Sequence, residues 1–143
     1  MNIPNMLNLI KFLEREDVRD LPREAWRDNR PGAYLEEHPG NYFQMPSWRI
    51  ESNCGTAACV AGWACALFAP NLDRFREPIS LKGQEVLGIN EYQAYELFHR
   101  VNWSDLIKEI AKEKGEKVAA ITLLKEMVCD DLKERRKGLE QLA

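Results

Sequence analysis

Apolar residues recur at helical spacing over most of the chain. Met6, Leu9, Ile10 and Leu13 stand at i, i+3, i+4 and i+7, with Phe12 widening the stripe, and predict a core-facing helix from about Asn5 to Glu16. Leu21 to Trp26 reads as a short helical turn with Pro22 at its first position, where a missing N–H costs nothing. Further on, a helix from about Leu81 to Leu87 is closed by Gly88 in the position of a C-terminal glycine. Asn90 and Gln93 have the spacing of a capping box and open another helix, whose Ala94, Leu97, Phe98 and Val101 face inward with Tyr92 and Tyr95 beside them. After Ser104 comes a helix with Leu106, Ile107, Ile110 and Ala111 on its apolar side and Lys108, Glu109, Lys112 and Glu113 outside, ended by Gly115. The longest helix starts near Glu116 and runs to Gly138 or beyond, with Val118, Ile121, Leu124, Val128 and Leu132 on one face.

The stretch from Asn53 to Phe68, N-C-G-T-A-A-C-V-A-G-W-A-C-A-L-F, has no charge and little bulk. It predicts a helix over 54–68 that is buried on nearly every side and forms the centre of the fold. Gly55, Ala58, Gly62 and Ala66 recur at helical spacing, so neighbouring helices can approach closely. The expected class is therefore all-α, a bundle of five to six helices in a single domain over 1–143.

Periodicity disappears between residues 28 and 50, where three prolines and two glycines accompany Tyr34, Tyr42, Phe43, Met45, Trp48 and Ile50. A long irregular segment with so much apolar surface is expected to lie against the bundle with its aromatics inserted. It is also the candidate recognition surface, because aromatic residues and arginine, here Tyr42, Phe43, Trp48 and Arg49, are enriched at interface hot spots.

Composition narrows the function classes. A net charge of -3 over 143 residues argues against nonspecific nucleic-acid binding, which draws its affinity from Lys and Arg at phosphates. The basic run Lys133 to Lys137 contains Glu134, follows Asp130 and Asp131, and has no interleaved aromatic residue, so it reads as a solvated helix face. No run approaches the roughly 20 apolar residues of a membrane span, and the first residues lack the pattern of a signal peptide. A cytoplasmic protein without a membrane association is expected.

Four cysteines, Cys54, Cys59, Cys65 and Cys129, fall mostly on apolar positions and read as reduced structural thiols. No C-x-x-C occurs and the two histidines, His38 and His99, are far apart in the chain, so neither a metal site nor a cofactor is expected. Catalysis has one candidate set. Cys54, at the start of a helix, would have its thiol pKa lowered by the dipole and free N–H groups, and His99 or His38 would have to serve as base.

The box C-G-T-A-A-C-V-A-G-W-A at Cys54 to Ala64, preceded by Y-F-Q-M-P-S-W at Tyr42 to Trp48, resembles a group of small uncharacterised proteins of phages, prophages and bacteria. The later L-G-I-N-E-Y-Q-A-Y-E-L-F at Leu87 to Phe98 is similar to the segment that follows the box in that group. The resemblance implies no activity, but it makes a phage or prophage setting plausible, with a host-takeover or counter-defence role. A second likeness lies between N-C-G-T-A-A-C-V-A and the nucleophile segment of bacteriocin-processing papain-like cysteine peptidases. The sequence thus points first to a non-enzymatic interaction or regulatory protein with a protein partner. The alternative is a cysteine-dependent hydrolase or transferase with Cys54 as nucleophile.

Overall fold

A computed structural model describes residues 1–26, 31–45, 49–52, 55–73 and 77–142, with side chains at all of these except 49–52 and 55–57. The chain is mainly helical, with a small sheet at one side. Helix α1 (Ile3–Leu13) begins where the Asn2 side chain accepts a hydrogen bond from the Asn5 amide, and its four expected stripe residues are all buried. Strand β1 (Val18–Asp20) follows, then a 3-10 turn at Arg23–Trp26, helix α2 (Pro31–Glu37) and strand β2 (Gly40–Phe43). Strands β3 (Arg49–Ser52) and β4 (Gly55–Ala58) complete a sheet of order β1-β2-β4-β3. The β1–β2 and β2–β4 pairs are parallel, and β3 runs antiparallel to β4 with Ser52 opposite Gly55.

Alternation along β2 sends successive side chains to opposite faces of the sheet. Phe43 enters the main core with Met6, Leu9 and Leu13, whereas Tyr42 joins Leu35 of α2 in a small second cluster. The Tyr42 hydroxyl donates to the His38 carbonyl at 2.8 Å, so its polar end is satisfied while the ring is buried.

Helix α3 (Val60–Phe68) is buried without a break from Val60 to Cys65 and packs against β4, α1, α4 (Ile79–Leu87) and α5 (Glu91–Phe98). Trp63 ties it to the sheet, its indole N–H donating to the Tyr42 carbonyl at 3.0 Å and its ring lying 4.8 Å from that of Phe12. Close approach of α3 and α4 depends on Gly83, where a Cβ would stand 3.2 Å from the Ala61 Cβ. Gly88 ends α4 in the left-handed region at φ 62°, and the Asn90–Gln93 capping box opens α5, both as the sequence predicts. A 3-10 turn at Arg100–Asn102 leads to α6 (Asp105–Lys114) and α7 (Glu116–Leu142). Residues of α7 from Ala119 to Val128 close the core, and Leu132, Leu139 and Leu142 beyond them are exposed. Among the described residues no helix is long and apolar enough to cross a membrane.

Four expectations need correction. The expected all-α bundle of five to six helices is a mainly helical fold with seven α-helices and a four-stranded sheet among the described residues. The central helix does not span 54–68: it begins at Val60, and residues 55–58 are a strand. An apolar, alanine-rich run can serve as a buried strand as well as a buried helix. Here β4 is hydrogen-bonded on both sides, and β-branched Thr56 suits a strand better than a helix. The segment 28–50 is not irregular throughout, since it contains α2, β2 and the start of β3. Finally, Val101 and Leu106, expected to face inward, are 76% and 66% exposed.

Candidate functional site

The two 3-10 turns, α6 and the start of α7 meet around an open cavity of about 550 Å³, lined by Arg23, Arg100, Val101, Lys108, Ala111, Lys112 and Glu116. Each contributor is held by local chemistry. The Arg100–Asn102 turn is fixed by the Asn102 side-chain amide, which donates to the Tyr95 carbonyl at 3.0 Å, and by buried Trp103, whose indole N–H reaches the Leu97 carbonyl at 3.3 Å. Ser104 caps α6 by accepting from the Ile107 amide. With Ile107 turned into the core, Lys108 and Lys112, four residues apart, share an exposed face.

Gly115 separates α6 from α7 at φ 99°, a left-handed conformation that glycine adopts without a Cβ penalty. The turn lets Asp20, at the end of β1, reach the first turn of α7, where one carboxylate oxygen accepts from the Lys117 amide at 2.9 Å. The Lys117 ammonium in turn donates to the Arg15 carbonyl at 3.2 Å and to that of Val18. These bonds pin the start of α7 against β1 and so fix Glu116 at the cavity wall.

Electrostatically the cavity is unlike the chain that surrounds it. Four cationic side chains, Arg23, Arg100, Lys108 and Lys112, face one carboxylate, in a protein of net charge -3. Glu116 Oε1 pairs with Arg100 Nη1 at 3.3 Å, while Oε2 is buried without a hydrogen-bond partner. Burial raises the Glu116 pKa above the ordinary carboxyl value, and the Asp20 charge adds to the rise while Arg100 opposes it. The Asp20 pKa is also raised, by burial first, with the Lys117 amide and ammonium acting against the shift. Among the described residues Arg23, Lys108 and Lys112 make no ion pair. The arrangement is suited to receiving an anion.

The residues singled out from the sequence lie elsewhere. Tyr42 and Phe43 are 2% and 0% exposed, so neither offers a face to a partner. Burial wins because both rings serve as core on opposite sides of the sheet. Arg49 lies on β3, and only its backbone is described; Trp48 and Cys54 lie outside the described residues. The position at the start of α3 that was expected for Cys54 belongs to Cys59. That thiol is 1% exposed and burial pushes its pKa up to about 11, which outweighs the lowering by the Ala61 and Gly62 amides. His38 is exposed after α2, its ring 4.4 Å from that of Tyr34. His99 is exposed at the end of α5 and lines a shallow neighbouring depression with Met45, Phe98, Arg100 and Val101. Among the described residues no group of three or more His, Cys, Asp or Glu side chains could hold a metal ion.

The cavity residues were missed because Arg23 and Glu116 are far apart in sequence and meet only in the fold. The one local signal was Lys108 and Lys112 on the outer face of an amphipathic helix, which by itself is an ordinary solvated surface. No protein-family model, curated protein or solved structure matches the chain.

Proposed function

We propose that this chain is a non-enzymatic interaction or regulatory protein that binds an anionic segment of a protein partner in the cavity between Arg23, Arg100, Lys108, Lys112 and Glu116. The observation that carries the reading is the concentration of four cations around one concave site in an acidic chain. Such a local field steers an oppositely charged partner toward one face and disfavours docking elsewhere. Exposed Val101 and half-buried Ala111 supply apolar contact beside the charges. A long polyanion such as nucleic acid would meet the negative charge of the rest of the chain, which favours a short acidic segment of a protein. The Cys-Gly-Thr box at Cys54 to Ala64, with its likeness to small phage and prophage proteins, supports a cytoplasmic role in host takeover or counter-defence.

The test is a quantitative pull-down from bacterial lysate with the wild type and a Lys108→Glu, Lys112→Glu variant, each first checked for its fold by far-ultraviolet circular dichroism. Both lysines are exposed, so the substitutions should leave the fold intact. Proteins retained by the wild type and lost by the variant are the expected result. Equal retention of every bound protein would overturn the assignment of the site.

A further inference from the structure

We propose that the anionic group taken by this cavity is a phosphate monoester on the partner, and that its entry is coupled to proton uptake at Glu116. The inference rests on the reading of the cavity as a partner site and deepens it. Four cations line the cavity and Glu116 is the one carboxylate among its lining residues, so positive charge is in excess there. A phosphate monoester brings about 1.5 to 2 negative charges and three acceptor oxygens, more of both than a single carboxylate offers. Those oxygens match a set that combines guanidinium forks from Arg23 and Arg100 with ammonium groups from Lys108 and Lys112. Lys108 and Lys112 are also like charges one helical turn apart, a pairing that disfavours the helix until an anion bridges them.

Glu116 supplies the coupling. Its Oε1 occupies Arg100 at 3.3 Å, and so it acts as the cavity's own counter-ion. The groups that face it are Arg100 from the turn after α5, Asp20 from the end of β1, Arg23 from the first 3-10 turn, and Lys108 and Lys112 from α6, with His99 beside Arg100. Its pKa is raised by burial first and further by Asp20, against the opposing charge of Arg100. A dianion placed next to it raises that pKa further, because two like charges in one site disfavour each other. The bound state therefore holds more protons than the free state. By linkage, affinity increases as pH falls into the range where Glu116 titrates, and decreases as pH rises above it.

Isothermal titration of the full chain with sulfate at pH 5 to 8 isolates the protein's own proton, because sulfate stays doubly charged throughout. Wild-type affinity should rise by about fivefold as pH falls through the titration of Glu116, the size expected for one screened charge at the cavity wall. The Glu116→Gln variant should bind more tightly at pH 8 and show little pH dependence. Histidine is the residue type that ordinarily changes charge near neutrality, so His99→Gln is the control and should keep the wild-type slope. At pH 8 a blocked phosphoserine tripeptide should bind more tightly than inorganic phosphate. A slope that persists in Glu116→Gln, or that vanishes in His99→Gln, would overturn the coupling while leaving the cavity as the partner site. Phosphate binding as tight as that of the phosphoserine tripeptide would overturn the partner as the source of the group. If none of the three anions binds, or if Lys108→Ala, Lys112→Ala binds them as well as the wild type, the cavity itself is the wrong site and both proposals fail.

Discussion

Replacing Gly88 by alanine tests whether the end of α4 and the start of the chain are built around a missing side chain. Gly88 has φ 62°, ψ 32°, and a Cβ there would stand 2.6 Å from the Asn2 backbone nitrogen and 3.1 Å from the Met1 carbonyl carbon. The left-handed conformation alone costs an L-residue roughly 1 to 2 kcal/mol. The clash is with backbone, so the segment before α1 must move. Its Asn2 amide donates to the Leu87 carbonyl at 2.9 Å and the Asn5 side chain to the Val86 carbonyl at 2.7 Å, and both bonds are strained by that movement. Losing them costs about 0.5 to 1.5 kcal/mol each. The sum is about 3 kcal/mol, or a fall in Tm of about 10 °C for a chain of this length. Urea unfolding followed by circular dichroism measures the free energy directly. Gly88→Asn is the informative companion, since asparagine tolerates the left-handed region but carries the same Cβ. It should retain about half to two thirds of the loss by the same accounting. A loss below about 1 kcal/mol for alanine, or an asparagine variant as stable as the wild type, would refute the steric reasoning.

Trp63→Phe removes the indole donor to the Tyr42 carbonyl and some buried ring volume, and should cost about 2 to 3 kcal/mol in urea unfolding. An indistinguishable midpoint would mean that this bond does not anchor α3 to the sheet. Native-state alkylation at pH 7.5, read by peptide mass spectrometry, should label exposed Cys129 and spare Cys59 and Cys65 until the chain unfolds. In the same experiment a Cys54 that reacts no faster than a small-molecule thiol would remove the case for a cysteine-dependent hydrolase, and markedly faster reaction would restore it.

The capping signals were legible because they are local. Asn90 with Gln93, Ser104 before α6 and Gly88 after α4 each satisfy or free backbone groups within a few residues, so composition and spacing suffice to recognise them. The α1 stripe was legible for a related reason, a long amphipathic pattern with one solution. The sheet was not. Its strands are three or four residues long, and the decisive interactions are parallel pairings of Val18–Asp20 with Gly40–Phe43 and of Gly40–Phe43 with Gly55–Ala58, across intervening elements. Tyr42 and Phe43 are inserted as the sequence suggested, but that neither is left for a partner was hidden by the same gap, since an aromatic residue looks alike in a sequence whether it faces a partner or its own core.

The chain's order of residues therefore settled where α4 stops, where α5 and α7 start, both ends of α6, and that the protein is mainly helical, because each of those outcomes is enforced by groups one or two turns apart. Whether residues 55–58 would be helix or strand was left to a neighbouring strand edge that needed hydrogen-bond partners. The basic cavity was left to the packing of α7 against β1, which carries Glu116 to Arg100 and places Arg23 opposite two lysines of α6. Electrostatic fields depend on distance in space, and for groups separated by most of the chain that distance exists only after folding.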